Sequence, residues 1–182
     1  MAYITQTPTP RIVATALVAL AILTPSGLAA AEHRLGLGLH YWKSLDDLAR
    51  NFPGVEDSGV SWLGSYIFDV EGPLKFGVDL EYFKDGYGGS TSSAWGPQVL
   101  ALVGGSLYGG VGIGMVLSSS FDGNKSDPFF LARFGWDFPI FPHLTLDLNL
   151  NYQADAFNQL DEFDADTLTL GVIVRYRIKS RN

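Results

Sequence analysis

Nine charged residues occupy alternating positions within short, largely apolar segments, where a charge needs a partner. If the fold encloses these charges, they must pair with one another, since an unpaired buried charge costs several kcal/mol. Enclosed charges could form an ion pathway, a gate or a structural plug of salt bridges. We predict the plug for the case that the segments are the strands of an eight-stranded barrel, because such a barrel has an interior just wide enough for side chains. The predicted network consists of Arg34, Asp69, Lys75, Asp79, Arg133, Asp137, Asp147, Arg175 and Arg177.

An acidic stretch, residues 161–166, resembles the opening of a calcium loop. An EF-hand loop that starts at Glu162 needs Gly at position 167 and Glu at position 173. The chain has Thr167 and Ile173 there. We therefore predict a solvated acidic loop and no metal site, with a loose divalent contact as the alternative.

His40 is the one histidine that the alternation points inward, with Ser61 diagonal to it on the next segment. A serine nucleophile and its base need mutual hydrogen-bond reach and a third group to orient the base. The inward neighbours Leu63 and Trp42 are apolar and cannot orient an imidazole as a carboxylate would. We predict no catalytic residue, with a lipid-modifying enzyme as the alternative.

The glycine-rich run 109–114 lacks the Lys-Ser/Thr of a phosphate-binding loop, and no cofactor is predicted.

Eight alternating segments must position these side chains. In the seventh, Leu146, Leu148 and Leu150 alternate with Asp147 and Asn149. Period two over about ten residues suits a tilted strand that crosses a bilayer. The predicted strands are 34–43, 60–70, 74–83, 94–103, 107–117, 128–138, 144–153 and 167–178.

The fourth segment is the weakest, because it is nearly all apolar and Pro97 cannot donate to a ladder hydrogen bond. Val99–Leu117 carries no charge and also permits a transmembrane helix. However, it holds six Gly in 19 residues, each of which costs about 1 kcal/mol relative to Ala in a helix. A hairpin that turns at Gly104-Gly105-Ser106 explains the pattern better.

Residues 1–31 have the features of a secretory signal peptide. Arg11 precedes the apolar run Ile12–Leu23, and Ala29-Ala30-Ala31 supplies the small residues before a cleavage site at Glu32. The run is shorter than the ~20 apolar residues of a membrane-spanning helix. We predict a cleaved leader, 1–31, and one domain, 32–182.

The charge of the chain argues against nucleic acid as a partner, and its composition rules out sites built from cysteine. Without Arg11, the mature chain has 11 Lys and Arg against 19 Asp and Glu, a net charge of −8. It has no basic stripe that could follow a phosphate backbone, so nucleic acid is not an expected partner. There is no Cys, which rules out disulfides and thiolate metal sites.

The apolar rows end in aromatic residues, which favours lipid outside and polar residues inside over a soluble barrel of the lipocalin type. Such rings resemble the two interfacial belts of a membrane barrel. One predicted belt comprises Tyr41, Trp62, Tyr82, Trp95 and Tyr152. The other comprises Phe68, Trp136, Phe138 and Tyr176.

The connections between segments alternate in length. Those at 71–73, 104–106 and 139–143 are short, whereas 44–59, 84–93, 118–127 and 154–166 are longer. Outer-membrane barrels have short periplasmic turns and longer outer loops. We predict that both mature termini are periplasmic.

The chain resembles the small eight-stranded bacterial outer-membrane barrels of the outer membrane protein A transmembrane-domain and outer membrane protein X types. The resemblance covers essentially the whole mature chain. It rests on a first strand that opens with Leu35-Gly36-Leu37-Gly38-Leu39 and a final strand that contains Leu168-Thr169-Leu170-Gly171-Val172. It implies an all-β fold, an eight-stranded antiparallel up-and-down transmembrane β-barrel. These barrels usually end on an aromatic residue, whereas here Lys179-Ser180-Arg181-Asn182 follow Ile178.

The expected function is a structural or surface-interaction role in the outer membrane, without enzymatic activity. A small-solute, porin-like channel and a lipid A-modifying enzyme are the alternatives. Expected partners are outer-membrane lipid, lipopolysaccharide and the outer-membrane assembly machinery, and the barrel is expected to be a monomer.

Overall fold

The computed structural model describes residues 32–45, 58–70, 72–87, 90–154 and 167–178. The predicted signal peptide and the acidic stretch 161–166 lie outside the described residues. Within the described part, no helix has the length and apolar character needed to cross a membrane.

Nine β-strands form where the sequence alternates. They are β1 (Glu32–Ser44), β2 (Ser58–Asp69), β3 (Leu74–Phe83), β4 (Ala94–Gly104), β5 (Leu107–Gly114), β6 (Leu117–Ser118), β7 (Phe129–Phe141), β8 (Leu144–Ala154) and β9 (Thr167–Ile178). A short 3-10 turn at Asp122–Asn124 lies between β6 and β7.

All neighbouring strands pair antiparallel, and the sheet closes on itself. β1 pairs with both β2 and β9, and the order continues through β8, β7, β5, β4 and β3 back to β2. The two-residue β6 continues the course of β5 and also pairs with β4. The result is the predicted closed, eight-stranded, up-and-down barrel.

The barrel has two different ends. We call the end with the short connections β2–β3, β4–β5 and β7–β8 the turn end, and the opposite end the loop end. The β4–β5 turn depends on Gly104, whose φ of +134° is unfavourable for residues with a Cβ. This hairpin shows that the helix considered for Val99–Leu117 is wrong, because the segment forms β4, β5 and part of β6.

Two strand ends differ from the prediction by three residues, and the other differences are of one or two residues. The predicted fifth strand, 107–117, is interrupted after Gly114 because Val116 bonds with Ser126 in the following loop (Val116 N to Ser126 Oγ, 2.9 Å; Ser126 N to Val116 O, 2.7 Å). The predicted turn 139–143 is shorter, because β7 continues to Phe141 with a register shift between Pro139 and Phe141.

Along each strand, side chains point alternately to the two faces of the sheet, with apolar side chains mostly outward and polar ones mostly inward. On β8, Leu148 is 40% exposed, whereas Asp147 is fully buried. The lumen is less polar than expected, however, because Leu100 and Leu102 of the apolar fourth segment, together with Leu131 and Ile173, also face inward. Charges and apolar groups therefore share the interior.

Candidate functional site in the barrel lumen

The centre of the lumen network is the carboxylate of Asp137 on β7. Its Oδ2 lies 2.9 Å from Arg34 Nη1 and 3.4 Å from Lys75 Nζ. Its Oδ1 lies 3.2 Å from Arg175 Nη1. These cations come from β1, β3 and β9, so one carboxylate joins opposite walls of the barrel across the turn-end half of the lumen.

Two further carboxylates balance these cations. Asp69 Oδ2 accepts from Arg34 Nε at 2.8 Å and Nη2 at 2.5 Å, and Asp147 Oδ2 lies 2.6 Å from Arg175 Nη1. The turn-end cluster thus contains three cations and three carboxylates. This balance matters because buried ions that lack partners are strongly destabilising.

A row of inward side chains on β8 connects this cluster to a second ion pair. Asn149 Nδ2 donates to Asp147 Oδ1 at 2.6 Å, and Asn151 Nδ2 donates to Asn149 Oδ1 at 3.0 Å. Arg133 Nε donates to Asn151 Oδ1 at 2.5 Å, while its Nη1 lies 2.6 Å from Asp79 Oδ2. Polar contacts are therefore continuous from the turn end to the middle of the lumen.

The predicted lumen position of Arg177 is wrong, because this residue lies at the turn-end rim and reaches the network only through Glu32 Oε1, which also lies 3.5 Å from Arg34 Nε. The Arg177 side chain is 47% exposed, and its Nε pairs at 2.7 Å with Glu32 Oε1 at the turn-end rim. Arg177 is the second-last residue of β9, where the barrel wall ends. Alternation alone therefore assigns it to the interior although no lumen remains around it. The structure places the other eight predicted charges in the lumen.

The surroundings of His40 also differ from the prediction. Glu81, on β3, lies with its Oε1 3.0 Å from His40 Nδ1, so a carboxylate does contact the imidazole. The same oxygen accepts from the hydroxyl of Ser61, and Gln98 Nε2 donates to Oε2 at 3.1 Å. Glu81 alternates in step with Lys75 and Asp79, which the sequence placed in the lumen, but only the register of β1, β2 and β3 shows that it meets His40 and Ser61.

This cluster lacks the arrangement of a hydrolase. Ser61 Oγ contacts Glu81 and the backbone oxygen of His40 (3.4 Å), not the imidazole that would have to take its proton. Ser61, His40 and Glu81 are each at most 1% exposed. The three residues act together as a buried polar contact between strands.

An aromatic cluster that sequence reasoning missed lies inside the loop end of the barrel. The rings of Trp42 and Phe83 both contact Tyr87, with centroid distances of 5.0 and 4.1 Å. Tyr87 belongs to the β3–β4 loop, and its hydroxyl donates to Gln153 on β8. A loop residue carries no alternation signal, so nothing in the sequence pattern predicted its inward position.

The predicted belt residues all lie on the outward face of the barrel. At the loop end, the rings of Tyr82 and Trp95 are 4.7 Å apart. At the turn end, those of Trp136 and Phe138 are 3.9 Å apart. The remaining predicted members, which point outward from their strands, are Tyr41, Trp62, Phe68, Tyr152 and Tyr176.

Among the described residues, no group of three or more His, Cys, Asp or Glu side chains is placed to hold a metal ion. The lumen carboxylates are instead occupied by Arg, Lys, Tyr, Asn and Gln groups. The chemistry that this arrangement supports is electrostatic cross-linking of the barrel walls.

No protein-family model and no curated protein matches the chain. Among solved structures, Neisserial surface protein A is similar with a TM-score of 0.54 and 16% identity, over 82% of this chain and 99% of that protein. The N-terminal barrel of Pseudomonas aeruginosa OprF aligns with a TM-score of 0.48 and 7% identity, over 81% of this chain and 99% of that domain. The first similarity shows that the chain has the predicted fold of a small eight-stranded outer-membrane β-barrel.

Proposed function

We propose that the protein is a non-enzymatic outer-membrane barrel with a structural or surface-interaction role and a lumen that is closed to solutes. The observation that carries this proposal is the position of Asp137, which holds cations from three other strands across the interior. A solute would have to break several buried ion pairs to pass this point.

A second barrier supports the same conclusion at the other end. The rings of Trp42, Phe83 and Tyr87 are at most 5% exposed and pack together inside the loop end of the barrel. A water-filled pore would need polar groups along a continuous path, and this cluster interrupts it. The porin-like alternative therefore has no support from the described lumen.

The outward face supports insertion in the outer membrane. Between the two aromatic belts, the described outward residues carry no charge, and examples such as Leu37 and Val111 are 77% and 64% exposed. An apolar band with aromatic rims is the surface that lipid covers in such barrels. In such barrels the short turns face the periplasm, so we infer that the turn end is periplasmic. Because β1 begins and β9 ends at the turn end, both mature termini are then periplasmic and the long loops face outward.

The loop-end surface supports a role in interaction. Four serine side chains bridge the β3–β4 loop to β6 and the loop that follows it, with Oγ–Oγ distances of 2.8 Å (Ser90–Ser118), 2.9 Å (Ser92–Ser118) and 3.0 Å (Ser120–Ser90). They fix these two loops relative to each other, which lowers the entropy cost of binding a partner. The similar Neisserial protein is named a surface protein, in agreement with this role.

The proposed partners are outer-membrane lipid, including lipopolysaccharide, and the machinery that assembles barrels into that membrane. A monomer is proposed because the closed sheet leaves no free edge for pairing with another chain.

Planar-bilayer recording of the purified protein tests the proposal. We expect little or no conductance, because both barriers must open together for ions to pass. A stable, ohmic conductance would contradict the closed lumen and would favour the channel instead. A heat-dependent shift in gel migration, the behaviour of folded membrane barrels, serves as the control for folding.

A further inference from the structure

Most of the buried polar atoms that lack a hydrogen-bond partner lie on one inward row of the barrel wall. Strand register aligns Arg175 with Gly36, Gly36 with Ser65, Ser65 with Asp79 and Asp79 with Gln98, from β9 through β1 to β4. Within the described part of the chain, eight buried side-chain atoms have no partner, and five of them belong to Arg175, Ser65, Asp79 and Gln98. We call these four residues the central row.

Arg175 and Asp79 each use only part of their side chain in the ion pairs described above. Arg175 pairs with Asp147 and Asp137 through Nη1 alone, which leaves Nε and Nη2 without acceptors. Asp79 pairs with Arg133 through Oδ2, which leaves Asp79 Oδ1 and Arg133 Nη2 without partners. Arg175 and Asp79 are close enough to interact electrostatically, yet their unpartnered atoms do not bond with each other.

The other two members of the central row present oxygen atoms to the same part of the lumen. Gln98 Nε2 donates to Glu81 Oε2 at 3.1 Å, so the amide oxygen of Gln98 is the end that remains unpartnered. Ser65 Oγ has no partner either. Gly36 stands between Ser65 and Arg175, and a Cβ there would lie 2.9 Å from Arg175 Cγ. The Arg175 side chain therefore lies in front of β1, the strand next to Ser65.

Leaving these atoms unsatisfied would be unfavourable. A buried polar group without a partner costs its full desolvation free energy, and native proteins contain few such groups. The four residues of the central row are at most 3% exposed, so bulk solvent does not reach them. A bound group must therefore complete their hydrogen bonds.

The mixture of donors and acceptors identifies the chemical class of that group. Arg175 and Arg133 offer N–H donors, Asp79 and Gln98 offer oxygen acceptors, and the Ser65 hydroxyl can do both. A halide ion only accepts hydrogen bonds. A metal ion contacts only the oxygens, and the two guanidinium groups repel it. Water donates and accepts at the same time, so it alone satisfies both kinds of atom.

The charge of the lumen also argues against an anion. Apart from His40, the described lumen contains four cationic side chains and five carboxylates. These are Arg34, Lys75, Arg133 and Arg175 against Asp69, Asp79, Glu81, Asp137 and Asp147. A bound anion would add to this negative excess, which favours a neutral ligand.

We propose that the central row, together with Arg133, binds a cluster of about two internal water molecules that bridges Arg175 to Asp79. The number follows from the six unpartnered atoms of these five residues and about three hydrogen bonds for each buried water. Arg175 belongs to the turn-end cluster, and Asp79 lies four residues before Phe83 of the aromatic cluster, so the water lies between the two. The site depends on lumen geometry alone. A conductance in the bilayer assay would therefore count against the proposed function and not against this site.

A crystal structure of the protein grown with sodium bromide, at a resolution that shows ordered water, tests the site. We expect density for water within hydrogen-bond distance of Arg175 Nε and Asp79 Oδ1, without an anomalous bromide signal. A bromide peak at Arg133 and Arg175 would overturn the water cluster in favour of an anion site. A metal ion on the central-row oxygens, or no density between Arg175 and Asp79, would overturn it as well.

Ser65→Ala gives a second test through the direction of its effect. If the hydroxyl bonds to water, its removal loses a hydrogen bond, and we expect the unfolding equilibrium constant to rise about fivefold, the usual worth of one such bond. Urea unfolding in lipid vesicles measures it. Ser58→Ala, at an exposed position of the same strand, is the matched control and should have little effect. A constant for Ser65→Ala that equals or falls below that of Ser58→Ala would overturn the water contact, because removing a truly unpartnered hydroxyl does not destabilise.

Discussion

The ring of Tyr108 lies directly over the backbone of Gly135. The two residues pair between β5 and β7, and a Cβ at Gly135 would lie within 2.7 Å of Tyr108 Cε1. The close approach lets the tyrosine hydroxyl reach across and donate to Asp147 in the turn-end ion cluster. The missing side chain at Gly135 on β7 therefore makes room for the hydrogen bond between Tyr108 on β5 and Asp147 on β8.

Gly135→Ala should therefore destabilise the barrel through Tyr108. The added methyl group must displace the ring and weaken its hydrogen bond to Asp147, so we expect a loss of about 1–3 kcal/mol in the free energy of unfolding, the usual cost of overpacking. Urea unfolding in lipid vesicles measures it. Gly109→Ala is the control, because the outward Gly109 has room for a Cβ. Equal effects of the two substitutions would contradict the contact.

Asp137→Asn should be among the most destabilising single changes in the lumen. It leaves Arg34, Lys75 and Arg175 with only two carboxylates, and breaking a buried ion pair in this way costs about 3–5 kcal/mol. Glu32→Gln breaks the partly exposed rim pair with Arg177 and a longer contact with Arg34 (3.5 Å), which keeps its two Asp partners, so it should cost at most about 1 kcal/mol. The same unfolding assay compares the two variants. Similar small losses would show that Asp137 does not connect the walls.

Leu148→Arg tests which face of β8 contacts lipid. A cation at the middle of the apolar band should cost roughly 2–4 kcal/mol, and Leu168→Arg, at the loop-end start of β9, should cost only about 0–1 kcal/mol. Spin labels at positions 146–150 should alternate between lipid-accessible and protected. Equal water exposure along this stretch would indicate a soluble barrel.

His40→Ala should leave lipid A unchanged but should destabilise the fold. Without the imidazole, the buried Glu81 carboxylate loses one of its partners, at a cost of about 1–3 kcal/mol. This corrects the expectation from sequence that His40 has no carboxylate neighbour. Mass spectrometry of lipid A from cells with and without the protein is the activity readout, and His143→Ala, at an exposed turn residue, is the stability control. An acyl-chain change that disappears in His40→Ala would identify an enzyme.

The sequence predicted the strands well because alternation is a local signal that each segment carries by itself. The orientation of Asp147 and Leu148 follows from it directly. Glu81 near His40 and Tyr108 over Gly135 depend on register, which is set by pairing between segments that are distant in the chain. Arg177 shows a different limit of the alternation pattern. The pattern continues to this residue, two positions after Arg175, although the lumen ends at Arg175. Tyr87 lies in a loop, where no periodic signal exists.

The junction between β1 and β9 has a consequence for how the barrel forms. These strands pair at twelve consecutive positions, from His33–Ile178 to Ser44–Thr167, although they are the first and the last of the described strands. Contacts of such long sequence separation form late, because loop-closure entropy opposes them until the intervening strands are in place. Until that step, β1 and β9 are both open edges that can pair with other chains. Folding is therefore expected to be slow and to leave an aggregation-prone intermediate that disappears only when the last strand docks on the first.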